Sequence, residues 1–454
     1  MKKNMKIDPT SGNLISSMIW FALPVTLGVL LQTLFTACDL VVVRMASDST
    51  SVASVGATTT VITLFVTSIT GIASGVNIVL ARLIGAKDFD RARRFVSTAI
   101  LSAFALGFIV AVFGLAFGDD VLRMMNCPED CYDGAVTYII VYVLSSPFIM
   151  VYNFAAAVIR VNGDSVRPTF YLVYAGIANV LLNIVLCVLL ADKVLAVALA
   201  TVLSQILGAV LCMTHLMRTK DACGFSFRNL SFDFSLCGLL FRYGVPGAIT
   251  NATFAISNLL VQGAINSFGS SVVAGNTASC NVESFVSSVT TGMTTSISVF
   301  IGQNIGANNS ERVKKTFTYG LLVTCSVSFV LSMLTFVLRE PLLKIFVGND
   351  TAALASGDAR MHFVMLFYGI YAFRNVFKCA VGGYGYAKLT MIESLVAIVL
   401  FRIVYMSFIY PHNPSMEMAY ATYLYSAFVG IAMSVPMYII VSRRYLKKGI
   451  ITKI

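Results

Sequence analysis

Long apolar runs constrain this chain more than any other feature of its sequence. Twelve runs follow one another between charged or Gly/Pro-rich breaks, and a helix of about 20 apolar residues suffices to cross a bilayer. Only 12% of the 454 residues are charged and 57% are hydrophobic, which excludes a cytosolic enzyme, a disordered chain and a disulfide-framed secreted domain. The sequence therefore predicts an all-α membrane protein with twelve spans, near 14–43, 52–81, 95–117, 134–159, 168–191, 194–217, 243–267, 276–303, 316–338, 361–382, 389–410 and 418–442.

The basic residues are distributed unevenly among the breaks. With the N-terminus in the cytoplasm, 23 of the 32 Lys and Arg residues fall in cytoplasmic segments and six in outer segments. Multi-pass proteins retain positive charge on the cytoplasmic side. We therefore expect both termini in the cytoplasm. The net charge of +11 then reflects this orientation and no nucleic-acid partner.

The chain repeats itself at an offset of 221 or 222 residues. The stretch 68–94 matches 289–315, and Pro24 in the first span matches Pro246 in the seventh. Six spans per half is an even number, so both halves enter the membrane in the same orientation, as a parallel repeat. The sequence predicts an N-terminal six-helix lobe over 1–217, a cytoplasmic linker over 218–242, and a C-terminal six-helix lobe with a basic tail over 243–454.

One face of the first span carries Gln32, Thr36 and Asp39, at i, i+4 and i+7. A charge in hydrocarbon costs about 2.5–3.5 kcal/mol on insertion scales. Asp39 has no basic partner within the predicted spans of its half. We interpret it as a titrating residue whose protonation or Na⁺ binding removes that cost. The alternative is a carboxylate at a helix end, wetted by the outer interface.

A second stripe follows the fifth span, with Gly176, Asn179, Asn183 and Cys187 spaced by three, four and four. Asn153 in the fourth span adds another amide. Amide carbonyl oxygens suit hard cations, while hydrogen bonds between helices are the alternative role. The predicted ion-coupling set is Asp39, Asn153, Asn179 and Asn183, and the predicted polar stripe of a cavity is Gln32, Thr36, Cys187, Asn258, Gln262 and Glu283.

Ionisable residues also occur within the spans of the C-terminal half. Buried charges must pair, so one hypothesis is a structural ion-pair network in which Glu393 pairs with Arg374 or Lys378. Lys378 could instead snorkel to the cytoplasmic face. The competing hypothesis is that Arg374 and Lys378 contact an anionic group of a substrate. The full predicted set is Tyr371, Arg374, Asn375, Lys378, Glu393 and Arg402.

No catalytic or cofactor motif accompanies these stripes. The sequence contains neither HExxH nor a P-loop, and its three histidines are scattered. Cys127 and Cys131 are the one close pair of cysteines and lack a second pair to complete a zinc site. We expect no enzymatic activity, no catalytic residue, no cofactor and no metal site, apart from H⁺ or Na⁺ as a coupling ion, with Na⁺ bound weakly at Asp39.

The sequence resembles the multidrug and toxic compound extrusion (MATE) transporters, of the bacterial DinF-like or MepA-like kind. The resemblance is carried by "ALPVTLGVLLQTLFTACDLVVV", "SVASVGA", "IGAKDFDRARR", "VIRVNGDSVRPTF", "LLNIVL", "IGQNIGANNSERVKK" and "FRIV", in this order along the chain. It implies a V-shaped antiporter that exports organic, mostly cationic, compounds against inward Na⁺ or H⁺ flow. Asp39 stands at the position of the family's coupling acid. The family pattern has Asn followed four residues later by Asp, where this chain has Asn183 and Cys187, and this departure favours H⁺.

Two classes of transporter remain open. The first is a multidrug antiporter for amphipathic small molecules that works as a monomer in the bilayer. The second is a flippase of the same superfamily for a lipid-linked or anionic precursor, with Arg374 and Lys378 holding a pyrophosphate. Flippases of this kind usually need a longer chain, and that argues against the second class.

The topology is testable by cysteine labelling. In a variant whose own cysteines are serine, Asp90→Cys should react with an impermeant thiol reagent only after cells are opened, because residues 82–94 are predicted to be cytoplasmic. Asp120→Cys, in the predicted outer loop 118–133, is the matched control and should react in intact cells. Labelling of position 90 from outside would refute the orientation.

Overall fold

The computed structural model describes residues 6–46, 49–124 and 129–448. Some side chains within these ranges, those of Thr36 and Asp39 among them, lie outside the described set, as do Cys127 and the C-terminal residues from 449. Every described element is helical. The α-helices are α1 Leu14–Ala46, α2 Ser49–Gly85, α3 Phe89–Met124, α4 Glu129–Leu144, α5 Ser146–Val161, α6 Val166–Leu189, α7 Lys193–Arg218, α8 Phe234–Asn266, α9 Ser270–Gly306, α10 Ser310–Val337, α11 Arg339–Val347, α12 Thr351–Val364, α13 Tyr368–Gly383, α14 Ala387–Ser394, α15 Phe401–Val404 and α16 Met416–Lys448.

The number of membrane-crossing helices agrees with the sequence. Among the described residues, ten helices are long and apolar enough to cross a bilayer, and two bent pairs bring the number to twelve. The predicted all-α, twelve-span architecture is therefore confirmed. The predicted spans 134–159 and 361–382 are each broken, however: α4 meets α5 at 47°, and α12 meets α13 at 48°.

Proline explains the first break. Pro147 stands at the start of α5, where its missing N–H costs nothing, but α4 cannot continue through it. The carbonyl groups at the end of α4 accept hydrogen bonds from two hydroxyls, Ser145 to Tyr142 at 2.6 Å and Ser146 to Val143 at 2.5 Å. A bend within the membrane thus keeps its backbone polar groups satisfied.

The duplication is visible in two matching turns. Lys87 and Asn308, 221 residues apart, both adopt left-handed backbone conformations, with φ of 57° and 55°. Each follows a long helix, α2 or α9, and the next residue caps the helix that comes after it. Asp88 accepts the N–H of Arg91 at 3.2 Å, and Asn309 accepts the N–H of Arg312 at 3.0 Å. The repeat read from the sequence is thus a repeat of local geometry.

By packing, the chain divides into two compact units. The N-terminal unit contains Leu27–Arg242 and the described residues before Asp8, and the C-terminal unit contains Asp8–Thr26 and the chain from Tyr243 onward. The division therefore falls inside α1, two residues after Pro24. In the C-terminal unit, Ser296 of α9 donates to the Met18 carbonyl at 3.2 Å. The lobe bounds 1–217, 218–242 and 243–454 stay a prediction.

Gly107 offers a test of the packing at the first break. A Cβ built on this residue of α3 lies 2.4 Å from Pro147 Cα, so a side chain would push α3 off α5. We expect Gly107→Ala to lower the thermal midpoint and the yield of purified protein. Gly238→Ala is the matched control, because no atom lies within 4 Å of its Cβ position and alanine favours a helix by about 1 kcal/mol. Equal melting of both variants would contradict the close contact.

Candidate functional site

A cavity of about 240 Å³ lies within the N-terminal unit. It is enclosed by α1, α2, α4, α5, α6 and α7, and its lining combines amides and hydroxyls with aromatic rings. Three predicted residues from three different helices reach it: Gln32, Asn153 and Asn179. Its other polar lining residues are Thr59, Thr63, Thr67, Thr201, Ser204 and Gln205, and its aromatic ones are Phe35, Tyr138, Tyr142 and Tyr152.

The asparagines hold defined positions around this cavity. Asn153 donates from Nδ2 to the Ile149 carbonyl one turn earlier, at 2.8 Å, which orients its amide. Asn183 is fully buried and donates from Nδ2 to Asn179 Oδ1 at 3.3 Å. Asn183 thus contacts the cavity-lining residue Asn179. Cys187 is buried one turn further along α6, where its carbonyl accepts a hydrogen bond from Lys193 at 2.8 Å.

Helix α1 supplies one wall of the cavity. Gln32 and Phe35 line it, and the Phe35 ring occupies the space that a Cβ on Gly176 of α6 would take. Gly176 of the predicted stripe thus allows α1 and α6 to pack closely, because any side chain there would overlap the Phe35 ring. The side chains of Thr36 and Asp39 lie outside the described residues. By helical spacing, position 39 is one turn after Phe35 and two turns after Gln32.

Several arginines that the sequence assigns to cytoplasmic breaks lie inside helices in the structure, Arg82 and Arg160 among them. Arg82 and Arg160 are in the last turns of α2 and α5. Helix α2 begins at Ser49, and Arg82 lies 33 residues further along it. This separation is about 50 Å of helix at 1.5 Å per residue. Asp39 is near the end of α1 that leads into α2. Arg82 is therefore one full length of α2 away, along the chain, from the end of α1 that carries position 39.

The C-terminal unit contains a charged group that sequence reasoning missed. The sequence assigns Arg360 to an outer segment, but the structure places it inside α12 with only 4% of it exposed. Its guanidinium donates to Glu283 Oε2 at 2.6 Å and to Asn276 Oδ1 at 3.0 Å. Asn276 in turn donates to Gln262 Oε1 at 2.9 Å. Glu283 and Gln262, predicted to line a cavity, therefore belong to a hydrogen-bonded chain centred on Arg360.

A signal for Arg360 was present in the sequence. Asp350 accepts the N–H groups of Ala352 and Ala353 at 3.0 and 3.1 Å, which makes it the N-cap of α12. An Asp followed by a run of helix-forming residues is a recognised helix start. The helix thus begins at Thr351, nine residues before Arg360, and the hydropathy criterion alone missed this beginning.

A second buried group contains three of the predicted residues. Arg374 Nε lies 2.7 Å from Glu393 Oε1, and Lys378 Nζ lies 3.7 Å from Glu393 Oε2. Lys378 also donates to Ser394 Oγ at 2.5 Å. Glu393 is 1% exposed. Gly430 of α16 leaves room for the guanidinium, since a Cβ there would lie 2.0 Å from Arg374 Nε. We call this group the Glu393 triad.

Arg402 occupies a third position in the same unit. It lies between two π-helical segments, Leu395–Leu400 and Tyr405–Ile409. In proteins generally, π-helical turns often occur at functional sites. Its guanidinium donates to Asn258 Oδ1 at 3.0 Å and lies 4.4 Å from the centre of the Tyr423 ring, but no carboxylate of the described chain lies within 4.0 Å. Tyr371 and Asn375 stand on α13 beside Arg374.

Within these groups, basic side chains outnumber acidic ones. Two carboxylates, Glu283 and Glu393, share the unit's interior with four cations. The N-terminal cavity has a different character, since every lining residue named there is uncharged. Across the described residues, no group of three His, Cys, Asp or Glu side chains could hold a metal ion.

Comparison with known proteins gives a consistent result. A family model described as MatE matches two segments of the chain, residues 24–189 and 246–407. The probable multidrug resistance protein YoeA of Bacillus subtilis is 28% identical over 341 residues, 74% of each chain. YpnP of the same organism, also a probable multidrug resistance protein, is 22% identical over 363 residues, 80% of each chain. A structure described as the outward-facing conformation of a multidrug resistance MATE family transporter superposes with a TM-score of 0.88 at 17% identity, and each chain is covered completely.

The Glu393 triad can be tested through stability. Glu393→Gln leaves Arg374 and Lys378 without their carboxylate, and breaking a buried pair costs about 3–5 kcal/mol. We expect a lower thermal midpoint and a lower yield of folded protein. Glu340→Gln is the matched control, because Glu340 and Lys344 form an exposed pair that contributes little.

A different outcome would assign the triad to substrate binding. Unchanged melting of Glu393→Gln, combined with an altered range of transported compounds for Arg374→Ala, would contradict the structural role. Normal stability and an unchanged substrate range in both variants would eliminate both roles.

Proposed function

The chain belongs to the MatE family of multidrug and toxic compound extrusion transporters, and on this premise we propose that it is a secondary-active antiporter exporting amphipathic, mainly cationic, organic compounds in exchange for H⁺ or Na⁺. The observation that carries this proposal is the cavity in the N-terminal unit. Its amide oxygens and tyrosine rings suit a cationic headgroup, since aromatic faces attract cations and amide oxygens solvate them. Because its lining residues are uncharged, the cavity does not select one cation over others by a fixed ion pair.

In this proposal, Asp39 is the coupling residue. Its position on α1 is one and two turns beyond Phe35 and Gln32, which both line the cavity. A carboxylate in a low-dielectric interior favours its neutral form, and proton binding removes the desolvation cost. Asn153 and Asn179 help to solvate the ion, and Asn183 orients Asn179 through its hydrogen bond.

The coupling ion is proposed to be H⁺. A Na⁺ site gains strength from each carboxylate it contains, and Cys187 stands where the resembled pattern has a second acid. Protonation of Asp39 favours release of substrate outside, and loss of the proton inside resets the cavity. Ion and substrate then bias the same two-state equilibrium, as exchange by alternating access of two lobes requires.

The remaining features of the proposal follow from the membrane setting. The chain is a multi-pass membrane protein of the described family, and we place it in the bacterial plasma membrane as a monomer with both termini in the cytoplasm. It catalyses no chemical reaction and uses no cofactor other than the coupling ion. Small organic molecules and the bilayer are its partners, and nucleic acid is not one of them.

One observation favours the flippase of the same superfamily. The cations of the C-terminal unit outnumber its carboxylates, and an anionic precursor would balance that excess. Arg374 and Lys378, which would hold a pyrophosphate, are already engaged by Glu393. We therefore rank multidrug export first.

Efflux from proteoliposomes tests both the activity and its coupling. With pH and Na⁺ gradients imposed separately, we expect the pH gradient to drive export of cationic compounds in preference to zwitterionic and anionic ones. Asp39→Asn cannot exchange a proton, so it should abolish gradient-driven efflux while binding of the compounds persists. Asp120→Asn, at an exposed acid near the end of α3, is the matched control and should transport normally. Full gradient-driven efflux by Asp39→Asn would overturn the coupling role.

A further inference from the structure

Arg402 is the exception among the buried charges of the C-terminal unit. It is 2% exposed and lies in the span Ala387–His412, so its guanidinium is surrounded by protein and bilayer rather than by water. Arginine stays protonated in proteins, and a buried charge needs an opposite charge beside it. Asn258, which accepts a hydrogen bond from Arg402 at 3.0 Å, is neutral. This contact therefore leaves the charge of Arg402 uncompensated.

The carboxylates of the C-terminal unit are engaged elsewhere. The two stretches of chain that form this unit contain eight acidic residues. Glu283 and Glu393 lie in its interior, and both form ion pairs with other basic side chains. The other six lie at exposed or half-buried positions: Asp8, Glu311, Glu340, Asp350, Asp358 and Glu417. Within the described chain, no carboxylate is left to pair with Arg402.

Three buried hydrogen-bond donors near Arg402 have no acceptor among the described residues. They are Arg402 Nε, Arg360 Nε and the hydroxyl of Tyr371. The two guanidinium groups lie over the same ring, that of Tyr423, with their central carbons 4.4 and 4.8 Å from its centre. Tyr371 interacts electrostatically with both arginines. Since buried donors normally have a partner, we infer an acceptor from outside the chain. We call these four residues the Arg402 cluster.

The charges of the Arg402 cluster indicate what this acceptor must be. An aromatic face attracts each guanidinium, but two cations at one ring repel each other, and the repulsion is strong where water does not screen it. Glu283 compensates the charge of Arg360. The cluster therefore lacks one negative charge. A monovalent anion that accepts hydrogen bonds from several donors supplies that charge and satisfies the donors together.

We propose that the Arg402 cluster binds a chloride ion, held by the guanidinium groups of Arg402 and Arg360 and by the hydroxyl of Tyr371. A halide carries one charge, needs little space and donates no hydrogen bond, which suits arginines that are 2% and 4% exposed. The ion is a resident of the C-terminal unit and stabilises its fold. The inference goes beyond the proposed export of cations, and it compensates Arg402 without an anionic substrate.

Thermal melting at different chloride concentrations tests the inference. Purified protein in detergent is melted in sodium gluconate that is replaced stepwise by sodium chloride, at constant ionic strength and pH. A ligand that binds only the folded state raises its stability as its concentration exceeds the dissociation constant. We therefore expect the thermal midpoint of the wild type to rise with chloride concentration, and bromide to have the same effect.

Two variants locate the ion. Arg402→Gln removes the charge and keeps an amide that can donate to Asn258, so it should melt in gluconate no lower than the wild type and should not respond to chloride. Tyr371→Phe keeps both charges and removes one donor. It should need about tenfold more chloride for the same rise, because hydrogen bonds to charged groups are among the stronger ones. Lys344→Gln, which breaks an exposed pair with Glu340, is the matched control and should respond like the wild type.

Three outcomes would overturn the inference. The first is a wild-type midpoint that does not change with chloride. The second is a wild-type chloride response in Tyr371→Phe, which changes a single hydroxyl and so decides the question even if Arg402→Gln fails to fold. The third is a response to sodium pyrophosphate but not to chloride, which would assign the arginines to a substrate phosphate. Melting needs neither gradient nor substrate, so its result is independent of the proposed antiport.

Discussion

The cost of placing a polar or charged group in hydrocarbon governs this structure. Lipid provides no hydrogen-bond partner, so each polar group must find a partner inside the protein. A charged side chain must find an opposite charge there or become neutral. Arg360 meets Glu283 and Asn276, and Glu393 meets Arg374 and Lys378. The same requirement acts on the backbone: Ser257 donates to the carbonyl of Ile398 in a π-helical turn at 3.0 Å.

The two units meet this requirement in different ways, and the difference suits different roles. The C-terminal unit joins two carboxylates, Glu283 and Glu393, to arginine and lysine at short range. The N-terminal unit surrounds a cavity with neutral amides and hydroxyls, and its α1 carries Asp39 at the turn after Phe35. The proton exchange proposed for Asp39 would take place in the N-terminal unit, beside a cavity whose named lining residues are uncharged.

Several glycines allow neighbouring helices to approach each other closely within each unit. Gly176 admits the Phe35 ring, Gly430 admits the Arg374 guanidinium, and Gly107 lets α3 approach Pro147. In each case a missing side chain allows two helices to meet, which is the usual way that membrane helices associate without a hydrophobic driving force. The contact between Gly176 and Phe35 lies in the wall of the cavity of the N-terminal unit.

Hydropathy determined the helical class and the number of spans, because every run must be long enough and apolar enough to cross the bilayer, and residue matches at an offset of 221 or 222 determined the duplication. Helical periodicity also selected Gln32 and Asn179, which line the cavity, and Asn153 was added to them as an amide of the fourth span. The tertiary structure decided which residues are partners. Periodicity identifies a face of one helix, but not the neighbour that the face meets, so the link between Arg360 and Glu283 was not foreseen. The bend between α12 and α13 was missed for the same reason: no proline marks it, and only packing against other helices establishes it.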